Sequence, residues 1–87
     1  MSIDIPVRSA DTALQRVGTE AILHDRRNGR AHVINNSAAR IWELCDGQAN
    51  IEQIAGAFAA AYAMSVSEVY DDVLAILATF RELRVLD

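Results

Sequence analysis

Ile34 to Gly47, INNSAARIWELCDG, joins an extended segment to a short helix and then stops that helix. Asn36 and Ser37 can each offer a side-chain oxygen to the free N–H groups of a first helical turn. Ile41, Trp42, Leu44 and Cys45 then recur at the spacings of one apolar stripe. Asp46-Gly47 ends the run, because glycine accepts the left-handed backbone that a helix C-terminus favours. The fold therefore turns on what lies either side of a strand that passes directly into a capped helix.

Upstream, Leu14 to Gly18 and Glu20 to Asp25 are extended in character. Asn28-Gly29 is a two-residue hairpin signal, and a third strand from Arg30 to Ile34 follows it. A turn centred on Asn28 and Gly29 predicts Leu23 opposite Ile34 and Asp25 opposite His32 on one face, with His24 opposite Val33 on the other. The two histidines then lie on opposite faces. Residues 1–12, with Pro6 and scattered polar side chains, read as a loose N-terminal arm.

Downstream, Asn50 can cap a second helix while Gln53 reaches back, and Ile51, Ile54, Phe58 and Tyr62 line its buried side. Ser65 and Glu68 form a second such box and open a third helix that runs to about Leu83. Val69, Val73, Ile76, Leu77, Phe80 and Leu83 recur at three and four residues and should face the core. Tyr70, Leu74 and Leu77 extend a flanking stripe toward Arg81, which leaves Asp71, Asp72, Ala75, Thr79 and Glu82 for solvent. The predicted class is α+β, a three-stranded antiparallel sheet followed by three helices.

At 87 residues and 52% apolar content, the chain is expected to form one domain over residues 1–87. A chain this short buries a small share of its surface, so a partner or a second copy would add stability, and both monomer and homodimer stay open. The lone Cys45 cannot form an internal disulfide and reads as a buried thiol of a reducing compartment. The N-terminus has no basic stretch leading into an apolar run, and no segment reaches the length of a membrane span. A cytoplasmic protein without a membrane partner is expected. Charge divides by halves: residues 1–40 carry six Arg against four acids, residues 41–87 two Arg against eight, giving +2 and −6.

Catalytic constellations are missing. His24 and His32 are the only imidazoles and have no third ligand at a suitable spacing, so no metal site is predicted. Asp71 and Asp72 are adjacent and point about 100° apart on a helix, and the glycines at 18, 29, 47 and 56 are isolated rather than grouped in a phosphate loop. The expectation is a protein that is not an enzyme, with no catalytic residue and no cofactor. Three helices beside a small sheet also describe winged helix-turn-helix domains that bind DNA. The last helix, however, sets Glu68, Asp71, Asp72 and Glu82 against Arg81 alone, which would repel phosphates. Arg26, Arg27 and Arg30 at the hairpin make a weak footprint. No nucleic-acid partner is expected. A nucleic-acid-binding regulator and a structural module that dimerises through a strand edge are the alternative readings.

Ile34-Asn35, the small residues Ser37 to Ala39, Ile41-Trp42, Asp46-Gly47, Ile51 to Ile54, Tyr62, Asp72-Val73 and Phe80 to Leu83 follow one another in an order that resembles the PqqD-like family, over roughly residues 20–87. Two features depart from that pattern. Arg84 stands where members commonly have Gly, so the last helix is expected to end without a left-handed cap. A Leu-x-Pro-Glu stretch associated with members of the pyrroloquinoline quinone pathway is absent before the first helix.

The resemblance implies a winged-helix-like recognition element that binds the leader of a ribosomally made precursor peptide. It would present that precursor to a maturation enzyme, often a radical S-adenosylmethionine enzyme. Docking between the third strand and the third helix nominates Arg30, His32, Val33 and Ile34 together with Tyr70, Leu74, Leu77 and Arg81. Apolar leader side chains would meet Tyr70 and Leu74, and acidic ones Arg30 or Arg81. An edge strand can accept an extended peptide through its backbone. Each such hydrogen bond adds only about 0.5–1.5 kcal/mol net, so side-chain pockets must choose the partner.

Overall fold

Strands β1 (Thr12–Val17), β2 (Glu20–Asp25) and β3 (Arg30–Asn35) lie side by side in that order. They are followed by α1 (Asn36–Leu44), α2 (Ile51–Ala61) and α3 (Val66–Glu82) in a computed structural model that describes residues 4–87. Both strand pairs are antiparallel, as the α+β reading predicts.

The junction between β3 and α1 has no loop. Asn35 is the N-cap, its side-chain oxygen accepting the Ala38 N–H at 2.8 Å, one residue earlier than the caps read at Asn36 and Ser37. At the other end the Asp46 carboxylate accepts the backbone N–H groups of Gln48 and Ala49, which lowers its pKa. Gly47 has φ of +79° and donates its N–H to the Pro6 carbonyl. A Cβ there would come within 3.3 Å of a Val7 methyl, so glycine is needed for the approach as well as the dihedral. The boxes at Asn50/Gln53 and Ser65/Glu68 both form. The expected absence of a left-handed cap on α3 is corrected: Arg84 itself adopts φ of +61° directly after the C-cap Leu83.

The hairpin differs from its expected register. Asp25 pairs with Arg30, Leu23 with His32 and His24 with Ala31, so Arg26 to Gly29 form a four-residue loop in place of a two-residue turn. Asp25 supplies the cause. One of its carboxylate oxygens accepts the Asn28 backbone N–H at 3.2 Å and the other accepts Asn28 Nδ2 at 2.8 Å, drawing Asn28 back over the strand end, while Gly29 takes φ of +64°. The slip is by two residues, so every side chain keeps its predicted face, and the histidines do lie on opposite sides of the sheet.

The inner face of the sheet packs Leu23 against Ile41, Trp42, Val73, Leu77 and Phe80 in one continuous core. Cys45 is fully buried, and that burial pushes its thiol up to about 11.

The arm is less loose than expected. Residues 1–3 of it lie outside the described residues, but Val7 bridges Asp46, Arg8 bridges Leu86, and Pro6 and Ser9 are buried. The Arg8 guanidinium donates to the Glu43 carbonyl and lies 5.4 Å from the centre of the Trp42 ring. Trp42 in turn donates to the Val85 carbonyl, so the arm and the C-terminal residues close over α1 together.

Candidate functional site

β3 is an edge strand. Among the described residues it pairs with β2 alone, and the bridges made by the arm lie elsewhere. Its side chains divide by face. Arg30, His32 and Ile34 share the inner face with Asp25, Leu23 and Ala21, while Val33 stands on the outer face, 67% exposed. His32 is half-buried, and its Nε2 has no hydrogen-bond partner among the described residues.

α3 packs on α2 and α1 and makes at most marginal contact with β3. The two nevertheless run alongside each other in opposite directions. Arg30, at the start of β3, shares a recess of about 210 Å³ with Leu83 and Arg84 at the end of α3. Ser37, just past the end of β3, shares a cavity of about 370 Å³ with Asp72 and Ile76. From Asp72 to Leu83 the helix rises about 16 Å at 1.5 Å per residue, comparable to the roughly 20 Å of a six-residue strand. Taken together, the two hollows outline a cleft that runs from Arg30 to Ser37 with the Asp72, Ile76, Leu83 flank of α3 along it.

The predicted site residues are distributed unevenly about this cleft. Arg30, His32 and Ile34 line the strand wall or its inner face, and Val33 faces away from the helices. Leu77 is buried in the core at 1% exposure. At 100° per residue, Tyr70, Leu74 and Arg81 fall on the flank of α3 opposite Ile76 and Leu83, and Arg81 is held there by an ion pair with Asp4 of the arm at 2.6 Å. The structure therefore does not bring Tyr70, Leu74, Leu77 and Arg81 to the β3 wall.

Ile76 and Leu83, read from the sequence as ordinary core, are half-buried and sit at the open flank, and Asp72, read as solvent-facing, stands beside Ile76. The period of a helix gives two flanks without saying which one meets the sheet. The signal that decides it is the Asp4–Arg81 pair, which local patterning does not carry.

The electrostatics of the cleft change along its length. At the hairpin end, Arg30 and Arg84 stand with Glu82 and with Asp25, whose carboxyl is held below the usual range mainly by the Asn28 side chain. At the other end Asp72 is the single charged residue among apolar neighbours. Glu68, Asp71, Asp72 and Glu82 are all exposed along α3, a surface unsuited to phosphates. Among the described residues no three His, Cys, Asp or Glu side chains gather as metal ligands would, and no helix is long and apolar enough to cross a membrane.

Three solved structures share this architecture. "TbiB1 in Complex with the TbiA(beta) Leader Peptide" is 21% identical, covers 93% of this chain and 94% of its own, and superposes with a TM-score of 0.78. "Lasso peptide synthetase B1 complexed with the leader peptide" is 15% identical over 97% of this chain and 99% of its own, at 0.78. The solution structure of the PqqD truncation of Methylobacterium extorquens PqqCD, described as a functional and stand-alone RiPP recognition element, is 23% identical over 97% and 89%, at 0.79. At these identities the likeness is one of fold. No curated protein sequence matches the chain. The family model described as "Coenzyme PQQ synthesis protein D (PqqD)" matches residues 20–86, from the start of β2 to the C-terminal bridge, and the chain belongs to that family.

Proposed function

We propose that this chain is a leader-peptide recognition element: it binds the leader of a ribosomally made precursor peptide as a fourth strand on β3 and presents the remainder to a modifying enzyme. The observation that carries this reading is the edge of β3, which pairs with β2 alone among the described residues, beside the cleft along α3. Strand addition supplies backbone hydrogen bonds to any extended segment, and the side chains of the cleft select among segments. Two of the structural relatives hold leader peptides, which supports the same use here.

The proposed contacts are Arg30, His32 and Ile34 on the strand and Ile76 and Leu83 on the helix, with Val33 free to touch whatever lies over the outer face. The orphaned Nε2 of His32 is a polar atom that a guest could satisfy. Catalysis belongs to the partner enzyme, for which a radical S-adenosylmethionine enzyme of the cytoplasm is the reading carried over from the family resemblance.

The test is a ¹⁵N-resolved titration of the full chain with a synthetic peptide copied from the leader of a short precursor frame encoded beside its gene. Shifts and slowed amide exchange should concentrate in residues 30–35 and at Ile76 and Leu83. Perturbation confined to β1 or to the Arg81 flank, or an unchanged spectrum, overturns the reading.

A further inference from the structure

A cavity of about 370 Å³ lies at the far end of the cleft, between α2 and α3. Ser37, just past the handover from β3 to α1, is one of its liners. Its walls are Phe58, Tyr62, Met64, Ala75 and Ile76, with Asp72 as the one charged liner. Tyr62 and Met64 are each 43% exposed, and the Tyr62 ring leans on Phe58 with centroids 4.7 Å apart. Between them Ala63 is held at φ of +53°, a backbone state that costs an L side chain energy and that persists only where its surroundings impose it. Here the α2–α3 turn presents two large apolar side chains to water around a concavity wide enough for a third.

We infer that this cavity is an anchor pocket for one bulky apolar or aromatic side chain of the incoming peptide, with a Lys or Arg beside it facing Asp72. The occupant follows from continuity and charge. A segment paired along β3 and continued past Asn35 approaches Ser37, which lines the pocket. Asp72 is the one charged residue in the wall, in a half of the chain that carries eight acids against two Arg. A cation next to the anchor meets attraction there, and an acid meets repulsion. The assignment rests on strand addition at β3, and it adds a selection rule that the strand edge lacks.

The experiment pans a displayed library of linear peptides against the full chain and against two variants at exposed positions, Ala75→Trp, which fills the cavity, and Asp72→Arg. Peptides recovered on the unmodified chain should share a strand-forming stretch followed or preceded, at a constant offset, by a bulky apolar residue adjoining Lys or Arg. On Ala75→Trp the stretch should survive and the anchor position become random. On Asp72→Arg the neighbour of the anchor should change from basic to acidic. A synthetic peptide of the consensus should bind Ala75→Trp about tenfold or more weakly than the unmodified chain, as expected for one side chain left out of an apolar site. The same consensus from all three proteins overturns the anchor while leaving strand addition standing. Failure to enrich any extended peptide on any of them overturns both.

Discussion

The two flanks of α3 are built from similar residues and have different fates. On one, which carries Tyr70, Leu74 and Arg81, Asp4 of the N-terminal arm pairs with Arg81. On the other, Leu83 shares a recess with Arg30 of β3, and Asp72 and Ile76 line a cavity that reaches Ser37 just beyond that strand. Both flanks present apolar and charged groups at three- and four-residue spacing. What separates them is that the chain's own arm reaches one of them, at Arg81, while hollows open along the other. The pair with Asp4 closes one flank at Arg81 and adds to the fold, and the hollows of the open one are where binding energy can still be gained.

The sharpest way to break this contrast is a pair of matched substitutions. Ile76→Glu should weaken a bound leader peptide about tenfold or more, the loss expected when a half-buried apolar contact is replaced by a charge, whereas Leu74→Glu should change its affinity less than about twofold. Isothermal titration calorimetry on both, with circular dichroism to confirm the fold, decides the matter. Equal losses would mean the flanks do not differ in function.

Acid provides an intermediate test, aimed at the hairpin end of the open side. The carboxyl of Asp25 is held below its usual value of about 3.9 mainly by the Asn28 side chain, so the folded state favours the ionised form. Its contribution to stability is therefore complete above that value and is lost as pH falls through the lower folded value. Amide resonances of Asn28 and Arg30 should shift together below about pH 4, and Asn28→Ala should move that transition upward. A transition unmoved in the variant would show that the loop is held by something else.

The smallest effect concerns the closed side. Arg81 and Asp4 are each nearly half exposed, so Arg81→Ala should cost no more than about 1 kcal/mol by chemical denaturation. It should leave peptide affinity unchanged and speed amide exchange at Arg8 and Ser9. A large loss of affinity would return Arg81 to the binding surface.

Much of this architecture can be read in the sequence alone. The boxes Asn50/Gln53 and Ser65/Glu68, the stop at Asp46-Gly47 and the core stripe of Val69, Val73, Leu77 and Phe80 all follow from local chemistry, where a side chain acts on backbone groups within a turn or so. The hairpin register did not follow, because Asn28-Gly29 is a strong turn signal until Asp25 captures Asn28 from outside the turn. The anchored arm was hidden for a related reason. Its isolated bridges to Asp46 and Leu86 join residues far apart in the chain and leave no periodicity. For the candidate site, the strand wall was readable from the order of elements. The helix wall was not, since a wheel of residues has no compass until a distant contact orients it.

Asn35 is both the last residue of β3 and the cap of α1, so the border of the sheet and the first turn of a helix share a single residue with no slack between them. A guest that straightens or tugs that border would act on the helix as on a lever, and Trp42, fixed to the C-terminal tail, lies on the same rigid arm. Capture at one side of the molecule would in this way be registered at the other, as a small rotation that the fluorescence of the chain's one tryptophan could report.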